Sequence, residues 1–192
     1  MSEVGLDYLH SYFSSRRPRD WNRCGQAAVA TLLDYHGCEP YLLDRPVFDP
    51  RDGGLHWDDA DIIDRVAADH PPDHLFGLLG TTAERISRAL DDGGLTTLVA
   101  ATTSPTEGRR LFDRIRGSLA RDEPVITIVD RGKLGGRPFA PHWAVVYGAG
   151  ESGVRLANTF GVSVVRSEQF MKAFRCSFMP ASLRHCSIFV SS

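Results

Sequence analysis

A helix that is apolar on nearly every side constrains this chain most, because such a helix has to lie inside the fold. Residues 24–36 are rich in alanine and leucine, which favour a helix, and Gly37 predicts where the helix ends. A surface helix keeps one polar face, and this segment has almost none. We therefore expect a central helix with other elements packed around it.

The second half of the chain consists of short β-branched runs separated by glycine turns. PVITIVDRG predicts a strand, and HWAVVYGAG, GVRLANTFG and GVSVVRSEQF predict the rest of an antiparallel meander. Helices followed by a mainly antiparallel sheet make an α+β fold. The remaining helical patterns lie at 59–70, 81–94, 106–123 and 167–174.

Length and charge limit the classes of protein to consider. With 192 residues, 42% of them hydrophobic, we expect a single domain over 1–192, with a helical lobe at about 20–120 and a sheet lobe at about 121–192. The formal net charge of -2 gives no reason to bind nucleic acid or an anionic membrane.

No apolar run reaches the roughly 18 residues of a membrane span. The first residues lack a secretory signal pattern, so we expect a cytoplasmic protein.

Three smaller predictions concern local segments. Residues 38–55 contain three prolines and a Gly-Gly pair, which predict a loop. Thr81 and Glu84 have the spacing of a capping box before a helix. Residues 186–190 predict a last strand.

The cysteines and histidines do not have the spacing of a disulfide framework or a metal site. The four cysteines are far apart in a chain expected in the cytoplasm, so we expect free thiols. His56 near Asp58, and His70 near His74, lie in or beside loops without further ligands. We therefore expect no metal and no cofactor.

Cys24 stands where the central helix begins, directly after a polar cluster. A helix start presents unpaired N–H groups and the positive end of the dipole, which favour an anion such as a thiolate. This position predicts a lowered thiol pKa and a nucleophile. The alternative is an inert cysteine that packs as a small hydrophobic side chain.

A base and a group that orients it lie near two strand ends. His142 opens one strand, and Asn158 ends the next strand along the chain. A short hairpin between antiparallel strands would bring these ends together, so the two residues can serve a cysteine nucleophile. The alternatives are a histidine satisfied by backbone at a sheet edge and an asparagine that makes an Asx turn.

The chain resembles the papain-like cysteine peptidases, in particular the bacterial branch related to the double-glycine-leader peptidases of bacteriocin exporters. The resemblance spans roughly residues 20–175 and implies a papain-like fold in which the Cys24 helix packs on the sheet. It implies that Cys24 is the nucleophile, His142 the general base and acid, and Asn158 the group that orients the imidazole. The matching residues are Asn22-Arg23-Cys24-Gly25, His142-Trp143 with Tyr147-Gly148, and Asn158-Thr159-Phe160-Gly161.

One position departs from that family. The family usually carries a glutamine about six residues before the cysteine, which donates to the oxyanion, and this chain has Pro18 there. Asn22 is the nearest side-chain amide that could replace it, and its alternative role is a plain helix cap. Loss of one oxyanion donor costs on the order of 100- to 1000-fold in rate.

The residues together predict a cysteine hydrolase that cleaves a peptide or amide bond through a thioester on Cys24. Two alternatives stay open. One is an acyl- or aminoacyl-transferase with the same three residues, acting in peptide maturation or small-molecule biosynthesis. The other is a non-catalytic module that binds a peptide. The expected partner is a peptide or a small acyl or amide substrate.

Overall fold

The computed structural model describes residues 3–7, 9, 22–38, 47–49, 54–56, 59–73, 80–136, 140–159 and 164–191. Within these ranges there are five α-helices: α1 (Cys24–Tyr35), α2 (Asp59–Asp69), α3 (Ala83–Asp92), α4 (Pro105–Leu119) and α5 (Ser167–Phe174). The strands of the described ranges are β1 (Val4–Gly5), β2 (Val47–Asp49), β3 (Gly54–His56), β4 (Thr96–Ala100), β5 (Val125–Asp130), β6 (Pro141–Gly150), β7 (Gly153–Ala157), β8 (Val164–Val165) and β9 (Ser187–Ser191).

The described strands form one large antiparallel sheet and a separate hairpin of β2 and β3. The order across the large sheet is β4-β9-β5-β6-β7-β8, and β1 pairs with the far end of β6. Strands β5 to β8 follow one another as the predicted meander. The predicted last strand, β9, lies between β4 and β5, so a strand from between two helices joins the same sheet. The α+β class is confirmed.

The side chains of the central strands alternate between two hydrophobic clusters, one on each face of the sheet. Ile128, Trp143 and Val145 belong to the cluster that contains α1, whereas Ala144 and Val146 belong to the cluster that contains α4 and α5. This alternation follows from the period of two along a strand. The sheet therefore lies between a layer of α1 with α3 and a layer of α4 with α5.

The first helix is central, as its composition predicts. All ten residues from Cys24 to Leu33 are buried, and α1 packs on β6, α2 and α3. The helix ends at Tyr35, and Gly37 follows with a φ of 65°. This left-handed conformation suits glycine and lets the Cys38 N–H donate to the carbonyl of Leu33 at 2.9 Å.

Two local predictions are wrong. The N-cap of α3 is Thr82 rather than Thr81: the Thr82 hydroxyl accepts from the N–H of Arg85, and Asp73 accepts hydrogen bonds from Thr82. Thr81 instead contacts α1, where its hydroxyl donates to Gln26. In the segment predicted as a loop, β2 and β3 pair in an antiparallel hairpin, while the rest of 38–55 apart from Cys38 lies outside the described residues.

Other expectations concern thiols, metals and membranes. The four cysteines are free, without disulfide bonds. Within the described residues, no three His, Cys, Asp or Glu side chains come together as a metal site would require, and His74 and Asp58 lie outside those residues. Among the helices of the described part, none has the length and apolar character needed to cross a membrane.

Candidate active site

Cys24 is the first residue of α1, and its side chain points into the contact between this helix and β6. Only 8% of the residue is exposed. Its Sγ accepts a hydrogen bond from the main-chain N–H of Trp143 at 3.5 Å. Arg23, the residue before the helix, pairs with Asp64 of α2 and so ties the start of α1 to the neighbouring helix. The N–H that reaches the sulfur belongs to the peptide bond between His142 and Trp143.

His142 is buried at the second residue of β6, and a hydrogen bond to the main-chain carbonyl of Asn158 holds its ring. A carbonyl oxygen only accepts, so Nε2 of the ring carries the proton in this contact. In a neutral imidazole the other nitrogen, Nδ1, is then the acceptor. This tautomer lets His142 accept a proton at Nδ1.

Asn158 follows β7 and is almost completely buried. Val145 of β6 pairs with Ala157 of β7, so the hairpin places residue 158 beside the start of β6, as the sequence predicts. The side-chain Nδ2 donates to the carbonyls of Cys24 at 2.8 Å and Trp143 at 2.9 Å. The main chain of Asn158 thus holds the imidazole, while its side-chain amide joins the helix to the strand.

The structure therefore brings Cys24, His142 and Asn158 together, but their charges differ from the sequence-based expectation. Burial raises the pKa of the Cys24 thiol, and this outweighs the N–H groups of Trp143 and Gly25 and the charge of Arg131, which lower it. Burial also lowers the pKa of His142 to about 4, even though the Asn158 carbonyl favours its charged form. The expected lowering of the thiol pKa is wrong for this closed site, where both groups are neutral near pH 7.

Sequence reasoning missed why a glycine follows the cysteine. A Cβ at Gly25 would lie 2.8 Å from the Thr81 Cβ and 3.2 Å from the Ile86 Cδ1. These distances are shorter than carbon atoms tolerate, so any larger residue would push α1 away from α3. Gly25 permits the close approach that fixes Cys24 against the rest of the site.

Sequence reasoning also missed a chain of polar contacts beside the cysteine. The indole N–H of Trp143 donates to the Thr81 carbonyl at 2.8 Å, and the Thr81 hydroxyl donates to Gln26 Oε1 at 3.1 Å. Gln26 Nε2 in turn donates to the carbonyl of His70 at 2.8 Å. The signal in the sequence is a glutamine in the first turn of a largely apolar helix.

The structure places Asn22, the residue expected to donate to the oxyanion, just before α1. Asn22 is half-buried two residues before Cys24, and its carbonyl lies against Gly80. Pro18, at the position of the family glutamine, lies outside the described residues. Arg131, which the sequence did not single out, follows β5 and acts electrostatically on both Cys24 and His142.

Comparison with known proteins agrees with this arrangement at the level of fold. No protein-family model matches the sequence, and no curated protein matches it. Solved structures do match, at low sequence identity. One is the peptidase domain of Streptococcus ComA, a bifunctional ABC transporter involved in a quorum-sensing pathway, with 17% identity, a TM-score of 0.54, and 90% of this chain and 93% of that chain covered.

Two further structures cover the whole chain. A double-glycine motif protease from an AMS/PCAT transporter, in complex with the leader peptide, is 14% identical with a TM-score of 0.57, and 99% of it is covered. A C39-like peptidase from Bacillus anthracis is 12% identical with a TM-score of 0.59, and 98% of it is covered. The chain therefore shares the papain-like fold of these peptidase domains. The resemblance stated from the sequence is confirmed for the fold.

Proposed function

We propose that this protein is a cysteine hydrolase that cleaves a peptide or amide bond through a thioester on Cys24. One observation carries the proposal: a thiol at a helix start, an imidazole whose Nδ1 is the acceptor nitrogen, and an asparagine that bonds the main chain on both sides of the site form a single buried cluster. The C39 peptidase fold supports it.

In the first half-reaction, Nδ1 of His142 takes the proton of the Cys24 thiol as sulfur attacks the carbonyl carbon of the substrate. The C–N bond then breaks, and the imidazolium returns its proton to the leaving amine. The products are a free amine and an acyl group on sulfur. Because both groups start neutral, the proton moves during attack rather than before it.

In the second half-reaction, His142 takes a proton from water, whose oxygen attacks the thioester carbonyl. The C–S bond breaks, sulfur regains the proton, and a carboxylic acid leaves. The N–H of Cys24, at the start of α1, is the oxyanion donor that this position provides. We assign a second donor to Asn22, in the place of the family glutamine.

We further propose that the substrate is a peptide and that the protein acts in the cytoplasm. One of the structural neighbours is in complex with a leader peptide, which supports a peptide ligand on this fold. Cys24, His142 and Asn158 are buried, so the reacting bond has to be presented in an extended segment of chain that reaches into the site.

The test is intact-mass analysis of the protein after incubation with a mechanism-based thiol probe and with candidate peptide esters. We expect one probe adduct or one acyl group per chain, located on Cys24 by peptide mapping, and none on the Cys24→Ala variant. Cys38→Ala is the matched control, since it removes a half-buried thiol outside the cluster. If Cys24 of the wild-type protein reacts with neither reagent, the protein is not a hydrolase that uses this cysteine.

Transfer to an amine is a second candidate, favoured by the burial of the three residues. A site that excludes bulk water protects an acyl intermediate from hydrolysis until a bound acceptor arrives. Addition of a millimolar amine during turnover separates the two reactions. Partition of the acyl group mainly to the amine supports the transferase, and partition mainly to water supports the hydrolase.

A further inference from the structure

Trp143 connects three separate parts of the site, although the proposed reaction gives it no chemical step. Its main-chain N–H donates to Cys24 Sγ, its carbonyl accepts from the amide of Asn158, and its indole N–H donates to the carbonyl of Thr81. The residue is 3% exposed. One buried residue on β6 thus contacts the thiol, the end of β7 and the turn before α3.

The turn that receives the indole is itself fixed to the nucleophile helix. The Thr81 hydroxyl donates to Gln26, two residues after Cys24, and Gln26 donates to the carbonyl of His70. The contacts therefore form a closed circuit that leaves α1 at Gln26, passes through Thr81 and Trp143, and returns to α1 at the sulfur. Such networks fix relative positions more strongly than each bond does alone.

We expect the hydrogen bond from the Trp143 N–H to the Cys24 sulfur to depend most on the other contacts of this circuit. The Trp143 N–H lies 3.5 Å from Sγ, and a hydrogen bond to the charged form of a group favours that form. A main-chain N–H has no side chain of its own to aim it, so its direction depends on what holds the residue. Pairing with Ile128 of β5 and the Asn158 amide hold the main chain of Trp143, and the indole contact with Thr81 holds its side chain.

We propose that Trp143 is a positioning residue: its indole, anchored on Thr81 and through Thr81 on Gln26, aims the Trp143 N–H at the Cys24 sulfur and stabilises the thiolate that attacks the substrate. This inference rests on the proposed function for its use in catalysis. Its test, however, reads the thiol itself and needs no substrate.

The other groups that act on the thiol have to stay constant in that test. Among the described residues, Arg131 after β5 acts on the thiol through its charge. The neighbouring groups that can carry charge are His142, which precedes Trp143 on β6, and Arg23, which precedes Cys24 and pairs with Asp64 of α2. None of them bonds to the indole. A change confined to the indole therefore leaves these charges in place.

The experiment measures the rate of iodoacetamide alkylation of Cys24 against pH, with peptide mapping, in the folded protein and in Trp143→Phe. The variant keeps a buried aromatic ring and loses the indole donor together with part of the ring volume. We expect the midpoint for Cys24 to rise by about half to one pH unit, which slows alkylation roughly three- to tenfold at a fixed pH below it. The midpoint for Cys38 serves as an internal reference and should not move.

Val146→Ala is the matched control, since it removes buried volume from the opposite face of β6. It should lower stability and leave the Cys24 midpoint unchanged. A Trp143→Phe profile that superimposes on the wild-type profile, or a Val146→Ala shift of the same size, overturns the proposal. Either result stands whether or not the wild-type protein hydrolyses any ester, so failure of the proposed function is recognised separately.

Gln26→Leu tests the far end of the circuit and covers the case in which Trp143→Phe does not fold. It removes the acceptor of the Thr81 hydroxyl without touching the tryptophan. We expect a smaller shift in the same direction, and in the double variant a total shift below the sum of the two, since residues in one network are not additive. An unmoved profile in Gln26→Leu, or fully additive shifts, contradicts the circuit.

Discussion

The two faces of the sheet share the same strands but are held to their helices differently. On the α1 face, hydrogen bonds from the side chains of Gln26, Trp143 and Asn158 reach main-chain carbonyls in other elements. On the α4 and α5 face, the helices meet through aromatic rings: the Phe170 ring centroid lies 5.3 Å from that of Phe112 and 5.5 Å from that of Phe174.

The difference shows that hydrogen bonds fix the positions of atoms, whereas apolar packing fills volume. Apolar packing accepts a side chain of similar size with small adjustments, so it holds helices together without fixing atoms closely. A buried hydrogen bond fixes two atoms and leaves a costly unpaired group when one partner is removed. The face with the candidate site therefore fixes its geometry through bonds as well as apolar packing, whereas packed aromatic rings hold the helices of the opposite face.

The largest effect expected on the α1 face is loss of all acyl-transfer activity in Cys24→Ala. Removal of the nucleophile takes away the group that forms the intermediate, so turnover should fall by about ten-thousandfold or more. The measurement is release of a fluorescent amine from a peptide substrate. Retention of even a tenth of the wild-type turnover would show that another residue is the nucleophile.

The other thiols provide the comparison for that variant. Burial raises the pKa of both Cys176 and Cys186 to about 12, so they are protonated and unreactive near pH 7. Cys38→Ala should keep most of the activity. A loss in Cys38→Ala as large as in Cys24→Ala would remove the distinction between them.

On the opposite face we expect the largest loss of stability without a change at the site. Phe170→Ala deletes a ring that is fully buried between two others and should lower the free energy of unfolding by about 3–5 kcal/mol. Urea unfolding gives the stability, and alkylation against pH gives the state of Cys24. A Cys24 midpoint that moves with Phe170→Ala would mean that the two faces are not independent.

The buried imidazole makes the stability of the protein depend on pH. The pKa of His142 is about 4 in the folded protein and about 6.5 in an unfolded chain. Between these values the unfolded state binds more protons, so the free energy of unfolding should fall by roughly 3 kcal/mol as pH drops from about 6.5 to about 4. Urea titrations at several pH values should show this slope in the wild type.

His142→Asn removes the group that causes this slope and leaves the other histidines in place. Its free energy of unfolding should therefore change less over the same pH range. Equal slopes in the wild type and His142→Asn would show that the imidazole is not kept neutral by burial. The same variant should be as inactive as Cys24→Ala, since the base is lost.

Local patterns in the sequence predict the main elements and the positions of the three site residues on them, but not the pairing of β2 with β3. The central helix, the meander and the hairpin that joins His142 to Asn158 all follow from periodicity and glycine turns. The α3 cap shows the limit of such patterns: Thr81 and Thr82 are equal candidates until Gln26 and Trp143 bind one of them.

The electrostatics of the site could not be predicted in this way. A helix start favours a thiolate only if it is open to water, and the sequence does not show that β6 covers Cys24. The main-chain carbonyl that holds His142 is equally hidden, because any residue at 158 would provide it. What favours asparagine there is the φ of 60° and the side-chain amide that reaches two carbonyls.

The smallest expected effect concerns Asn158 and decides between its side chain and its main chain. Asn158→Gly and Asn158→Ala both lose the amide bonds to Cys24 and Trp143, and both keep the carbonyl that binds His142. The left-handed φ disfavours a residue with a Cβ, so Asn158→Ala should be less stable than Asn158→Gly by about 0.5–1 kcal/mol after allowance for the freer unfolded glycine chain. In both variants the ¹⁵N shifts of the imidazole should still report a proton on Nε2, because the main-chain acceptor is unchanged. If the proton moves to Nδ1 or the two tautomers mix in Asn158→Gly, the asparagine side chain rather than the backbone orients the ring, and the division of roles drawn from the hydrogen bonds is wrong.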